Sequence, residues 1–359
     1  MESLIDDDAT LRPLCTRISE APLVALDTEF IRERTYFPQL CLLQLATEEV
    51  TACVDCLADL DLAPLFAALG RPDIVWVLHS GRQDLEVIRQ RADLLPARLI
   101  DTQIAASLTG HAAQSGLREV LASVLGVDIG KGYTRTDWSR RPLPEGPLQY
   151  ALDDVRYLLP LWHRLEEELG ALGRLDWLAE DSARLLQDAA RDDLLPIWGR
   201  LRAVQQMTEE EQAAALVLVR WREQTAKTLD RPRRWIMSDE LLVRLAQLRP
   251  TSVSLLAQVP DMPRGLAQKH GALLVETLAL RNGPEVMAEL RQVLQPERPD
   301  KDALKALQAR VKARAAELGV DSEVLASRRD LIACLVGMPP EHLRSGWRAA
   351  QIEPLLPPP

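Results

Sequence analysis

The sequence predicts an α/β unit built on a mixed sheet, followed by two small all-α units. Three observations predict it. Short apolar runs alternate with helix-like segments through the first third of the chain. From Pro147 onward apolar residues recur at helical spacing, and strand signals then become scarce. At 359 residues the chain exceeds one average domain, so two or three compact units are expected.

Leu23-Val24-Ala25-Leu26 is a short apolar run leading into Asp27-Thr28-Glu29. Leu40-Cys41-Leu42-Leu43-Gln44-Leu45-Ala46 and residues 50–54 follow, separated by the polar turn Thr47-Glu48-Glu49, and read as antiparallel neighbours. Ile74-Val75-Trp76-Val77-Leu78 reads as a buried strand, 81–91 as helix, Arg98-Leu99-Ile100 as a brief strand and 102–108 as helix. Residues 130–146, rich in Gly, Arg and Pro, read as an exposed loop. Leu148, Leu152, Val155 and Leu159 then form a helical stripe that Trp162 and Leu165 continue. Pro196 and Pro250 punctuate later helices, and Pro296-Glu297-Arg298-Pro299 reads as a linker.

Apolar residues make up 47% and charged residues 27%, the mixture of a soluble globular protein rather than a fibrous or disordered one. No apolar run approaches the ~20 residues of a membrane helix, and the acidic start of the chain is unlike a secretory signal. A soluble, cytoplasmic protein with no membrane partner is expected. Five cysteines do not suggest a disulfide framework. Cys53 and Cys56 spell CxxC without a second pair to complete a zinc site, so they read as reduced structural thiols. The net charge of −10 is unevenly spread: residues 1–170 carry −11, whereas residues 220–281 carry +5. An acidic unit that concentrates cations and a basic one that holds phosphate fit this split, although solvated surface charge is the plainer reading.

Asp27 and Glu29, two apart at the end of a strand, share one face of the sheet. Side by side near a core strand they repel each other, a conflict that hard divalent cations with oxygen ligands resolve. Asp84 falls in the first turn of the helix after the strand ending at Leu78, where a carboxylate suits the helix dipole. Tyr150 and Asp154, four apart, share a helix face, whereas Asp153 is rotated about 100° from it. Each feature alone fits an ordinary structural role; only the set points to metal-dependent chemistry.

In order and spacing these residues resemble the DEDD superfamily of 3′–5′ exonucleases, in the branch that carries tyrosine. The histidine branch would need His at the position of Gln149. The run from Asp27 through Tyr36-Phe37-Pro38-Gln39 to Leu45, and Thr136-Asp137-Trp138-Ser139-Arg140-Arg141-Pro142-Leu143, look more specifically like the bacterial ribonuclease D family. Leu218-Val219-Arg220-Trp221-Arg222-Glu223, with Leu245-Ala246 and Pro250-Thr251-Ser252, resembles the helicase-and-RNase-D C-terminal (HRDC) domain. Leu325-Ala326-Ser327-Arg328-Arg329 and Gly346-Trp347-Arg348 resemble its divergent second copy.

The resemblance implies a ribonuclease H-like exonuclease domain over 1–170, a helical connector over 171–207, a first HRDC domain over 208–290 and a second over 300–356. It further implies hydrolysis of RNA 3′ ends to nucleoside 5′-monophosphates, with precursor tRNAs and other small structured RNAs as substrates. Two Mg²⁺ or Mn²⁺ ions would be held by Asp27, Glu29, Asp84 and Asp154, with Asp27 bridging and Tyr150 positioning the attacking water. Phe30, Tyr36 and Phe37 are candidates for base stacking, against core packing. Lys131, Arg135, Arg140 and Arg141 in the loop, and Arg220, Arg222, Lys227, Arg231, Arg233 and Arg234 beyond it, are candidates for phosphate contact, against solvated surface. A 3′–5′ DNA exonuclease and a catalytically silent RNA-binding scaffold are the competing readings. No protein partner is legible.

Overall fold

A computed structural model of the chain describes residues 2–130, 132–133, 136–191, 201–279 and 299–357. These residues form two compact units. The first takes the chain up to Ile31, Pro38–Arg191 and 299–357; the second takes Arg32–Phe37 and 201–279.

The first unit is organised by six strands: β1 (Glu2–Ile5), β2 (Leu23–Ile31), β3 (Gln39–Ala46), β4 (Thr51–Asp55), β5 (Val75–Leu78) and β6 (Arg98–Asp101). Their order across the sheet is β1-β4-β3-β2-β5-β6. The pairs β2–β3 and β3–β4 are antiparallel, whereas β1–β4, β2–β5 and β5–β6 are parallel, so the sheet is mixed as predicted. β1 has no counterpart in the sequence reading. Glu2 and Ser3 give it no strand signal, and its state comes from pairing at the sheet edge with β4.

Eight helices complete the first part of this unit: α1 (Asp8–Glu20), α2 (Ala63–Leu69), α3 (Arg82–Ala92), α4 (Thr102–Leu108), α5 (Leu117–Val124), α6 (Glu145–Arg156), α7 (Leu158–Leu172) and α8 (Leu175–Ala190). Alternation along β2 sends its side chains into two cores. Val24 and Leu26 pack with Leu11 and Ile18 of α1, Leu65 of α2, and Leu85 and Ile88 of α3. Ala25 packs on the other side with Ala105 of α4, Val155 of α6, and Leu159 and Leu165 of α7. By the same alternation Asp27 and Glu29 face α6, and Thr28 faces α3. The single helical stripe expected from Leu148 to Leu165 is two helices divided at Tyr157. Pro160 explains the break: it lacks an N–H to continue the preceding helix but fits the first turn of a new one.

The second unit contains α9 (Glu209–Leu229), α10 (Arg233–Ile236), α11 (Asp239–Leu248), α12 (Val253–Ala257) and α13 (Arg264–Ala279). A capping box between Thr208 and Glu211 starts α9. Leu216 and Val219 of α9 share a core with Leu242 and Leu245 of α11 and Leu274 of α13.

The last segment corrects the expected domain division. α14 (Lys301–Leu318), α15 (Ser322–Leu325), α16 (Arg328–Leu335) and α17 (Gly346–Ile352) belong to the first unit. Leu304, Leu307, Val311, Leu325 and Ile352 share the core of α4, α6 and α7. The ring of Trp347 stacks on Trp177 of α8 with centroids 4.3 Å apart. The carboxylate of buried Asp181 accepts from the Trp347 indole and pairs with Arg348. Arg174 ties the two parts together by donating to the carbonyls of Leu108 and Leu318. One long helix and three short ones expose too much surface to close a core of their own, which is why they complete this one. Residues 296–298 of the expected linker, and Pro196, lie outside the described residues. No described helix is long and apolar enough to cross a membrane.

Candidate active site

β2 carries Asp27 and Glu29 to one end of the sheet, and α6 lays Asp154 against them. Carboxylate oxygens of Asp27, Glu29 and Asp154 all lie within 4.8 Å of one another. Asp84 stands in the first turn of α3, where its Oδ1 accepts from the Thr28 backbone N–H at 3.0 Å and the Thr28 hydroxyl at 2.6 Å. Asp84 is therefore tethered to β2 beside the triad rather than within it. All four carboxylates and Tyr150 line one cavity of about 490 Å³.

No Lys or Arg is among the described residues lining that cavity. Burial, more than any neighbouring charge, pushes the carboxyls up: Glu29 to about 8, Asp154 to about 7, Asp84 to about 6, and Asp27 well above the usual range. Repulsion within the set adds to the shifts of Asp27, Glu29 and Asp154, whereas Asp84 is raised further by Asp101 and held back by its bonds from Thr28. His79, at the cavity wall, is held below its ordinary value by burial and supplies no compensating charge. Converging oxygen donors with no Lys or Arg among the described lining residues fit hard divalent ions. Thiol ligation does not fit: all five cysteines are unbridged, and burial pushes Cys53 up and Cys56 up to about 12.

Burial, together with Asp154 and the surrounding carboxylates, raises the pKa of the Tyr150 hydroxyl. Its ring packs near Trp138 and meets Tyr133 edge-on, with centroids 6.5 and 5.8 Å away. Gly132 lies against it so closely that a Cβ there would sit 3.4 Å from the Tyr150 oxygen.

The expected RNA contacts divide into different fates. Phe30 lines the cavity, half-buried. Lys131 and Arg135 lie outside the described residues. Arg141 is not placed to grip phosphate, because every guanidinium N–H is taken. Its Nε and Nη2 donate to the two oxygens of Asp55 at 2.5 and 2.6 Å. Nη1 donates to the Trp138 and Arg140 carbonyls, and Nη2 also to that of Cys41. Arg141 anchors its loop to the ends of β3 and β4. Arg222 is likewise corrected: it is 2% exposed, donating to Asp239 at 2.6 Å and to the Met237 carbonyl. Its position on the inner face of α9 makes it part of the second unit's core. Arg220 is half-buried. Arg233 pairs with Glu223 and lies over the ring of Tyr36, and Arg234 pairs with Asp239, so much of the basic cluster neutralises its own unit's acids. Tyr36, half-buried, donates to Glu223 at 2.9 Å and its ring meets that of Phe37, which is exposed.

The sequence reading assigned no role to Thr28, Gln44 or Tyr133. Thr28 sits inside the D-x-E motif, and its hydroxyl on the opposite face is the signal that could have found it. Gln44 is the cross-strand partner of Asp27; its amide nitrogen lies 3.5 Å from the carboxylate, and its buried oxygen has no partner. Only strand register reveals that pairing. Tyr133, 42% exposed, is brought to the cavity by loop geometry that no local pattern encodes.

A 3′-5′ exonuclease family profile matches residues 3–170, and an HRDC domain profile matches residues 211–278. The chain is 36% identical to a ribonuclease D of Gluconacetobacter diazotrophicus, covering 96% of this chain and 89% of that one. It is 39% identical to a ribonuclease D of Xanthomonas oryzae, covering 93% of each. Among solved structures, Escherichia coli RNase D, described as an exoribonuclease involved in structured RNA processing, superposes with a TM-score of 0.81 at 29% identity. That match covers 98% of this chain and 96% of that one.

Proposed function

The chain belongs to the ribonuclease D family of 3′–5′ exoribonucleases, and on that premise we propose how its site works and on which RNAs. Asp27, Glu29, Asp84 and Asp154 would hold two divalent cations, Mg²⁺ or Mn²⁺. The observation that carries this is the convergence of Asp27, Glu29 and Asp154 in a cavity with no Lys or Arg among its described lining residues. Divalent ions bound there would lower the pKa of a water and offset charge on the phosphoryl oxygens and the departing 3′ oxygen.

In the hydrolysis, the water oxygen joins phosphorus and the bond from phosphorus to the 3′ oxygen breaks. The shortened RNA keeps a 3′-hydroxyl and a nucleoside 5′-monophosphate leaves. Tyr150 orients the attacking water through one hydrogen bond; its raised pKa keeps the hydroxyl protonated, so it does not take the proton. Phe30 and Tyr133 offer aromatic faces for the terminal bases.

The substrates we assign are structured RNAs with 3′ extensions, precursor tRNAs among them. The first HRDC domain, over 208–290, supplies an accessory RNA surface from cations other than Arg222. Of the expected connector over 171–207, α8 packs in the first unit and Leu201, Val204 and Met207 join the core of the second; we read 300–356 as a divergent second HRDC-like repeat absorbed into the exonuclease core. The test is incubation of a 3′-extended tRNA, and of a matched DNA strand, with and without Mg²⁺. Stepwise 3′ shortening that releases nucleoside 5′-monophosphates, requires the ion and favours RNA is expected. Undiminished activity in excess chelator, or internal cuts, would overturn the reading.

A further inference from the structure

The most heavily engaged carboxylate near the cavity belongs to Asp101, which is not among the residues lining it. Asp101 ends β6, is 2% exposed, and stands opposite Leu78 in the β5–β6 register. Four backbone N–H groups converge on it. Oδ1 accepts from Gln103 at 2.9 Å, Ser80 at 3.1 Å and Ile104 at 3.3 Å, and Oδ2 accepts from Gly81 at 2.9 Å. Two of these donors begin α4, which Asp101 caps; the other two form the turn that launches α3. One carboxylate thus fixes the starts of two helices.

The turn at 80–81 needs such a hold. Ser80 has φ +58°, a left-handed conformation unfavourable for a residue with a Cβ. A Cβ on Gly81 would lie 2.7 Å from Cβ of Leu78, so the chain passes as close to β5 as glycine allows. Arg82 N–H donates to the Ser80 carbonyl and Leu85 N–H to the Gly81 carbonyl, carrying the turn directly into the helix. Asp84 lies in that first turn, with Thr28 holding its carboxylate from β2. Thr102 reinforces the same side by donating from its hydroxyl to the Leu78 carbonyl at 2.9 Å.

We propose that Asp101 is a positioning residue for metal binding, fixing the 80–81 turn so that α3 delivers Asp84 to the site. The inference rests on Asp84 being a metal ligand. A neutral oxygen acceptor could cap one helix start, but a carboxylate, with two acceptor oxygens, is the group that draws four N–H donors together. Loss of residues that orient metal ligands commonly weakens binding 10–100-fold.

The test is calorimetric titration of the full-length, metal-stripped protein with Mn²⁺, with folding monitored by circular dichroism. Asp101→Ala is expected to weaken Mn²⁺ binding at least tenfold. Asp101→Asn, which keeps one oxygen acceptor, is expected to fall between Asp101→Ala and wild type. Gly81→Ala, which displaces the same turn without touching the carboxylate, provides a second route to the defect. Leu11→Ala, a core change in α1, controls for general destabilisation and should leave affinity unchanged. Wild-type affinity in Asp101→Asn and Gly81→Ala, with loss in Asp84→Ala, would overturn the inference alone. Equal weakening in Leu11→Ala would also overturn it by making the effect one of stability. Wild-type affinity in Asp84→Ala would overturn both the inference and the ligand assignment beneath it.

Discussion

At the residue scale the proposed chemistry rests on carboxylates whose environment opposes their charge. Asp27→Asn or Asp154→Asn should lower turnover about 10³-fold or more in single-turnover assays, as expected when several kcal/mol of charge stabilisation are lost. Their circular dichroism should match wild type. Tyr150→Phe should cost less, on the order of 10–100-fold, because it removes a water-orienting hydrogen bond without removing an ionic ligand. Calorimetric Mn²⁺ affinity close to wild type would separate it from the aspartate variants. The raised pKa values also fix the sign of a pH effect. Glu29 titrates near 8 and Asp154 near 7 in the folded protein, both above their ordinary values. Between the ordinary and raised values the folded state binds more protons than the unfolded one, so stability falls as pH rises through that window. The chelator-treated protein should melt at a lower temperature at pH 8.5 than at pH 5.5, and Mg²⁺ should recover more of the loss at the higher pH. A melting temperature independent of pH would contradict the proposed burial of uncompensated charge.

At the scale of elements, the Arg141–Asp55 pair joins the loop before α6 to the ends of β3 and β4. Arg141→Gln should cost about 2 kcal/mol in denaturant unfolding, less than a fully buried pair because the arginine side chain is 26% exposed. It should leave the salt dependence of RNA binding unchanged, whereas loss of a phosphate contact would reduce the logarithmic slope by about 1. This pair marks where sequence reading stops. Asp27 and Glu29 were legible because period two places them together, and Tyr150 with Asp154 because a helix turn does. Asp55 is far from Arg141 in the chain, and no local pattern announces their meeting. The same holds for Thr28 with Asp84, Asp27 with Gln44, and β1 with β4, all of which depend on packing between elements. Arg222 was misread because a basic run says nothing of which helix face turns inward, and Asp239, its partner, lies on another helix.

At the scale of the whole molecule, two separate helical domains were expected after the sheet, but the last four helices belong to the sheet's own unit. Sequence motifs marked 300–356 as a repeat without showing that its apolar face lacks a core of its own. A chain ending at residue 191 would expose the partners of Leu304, Leu307, Val311 and Trp347 and should aggregate or lose cooperative unfolding. Co-expression with a fragment covering 298–359 should restore soluble protein; a stable, active 1–191 fragment would contradict this organisation. The acidic residues of β2, α3 and α6 are proposed to hold divalent cations. The measurement that reaches it most directly is anomalous diffraction from crystals of the full-length protein soaked in Mn²⁺. Two peaks should appear among the carboxylates of Asp27, Glu29, Asp84 and Asp154, and Asp27→Asn should weaken or remove them. Crystals that degrade RNA with Mn²⁺ yet show no ion at those carboxylates would contradict the account.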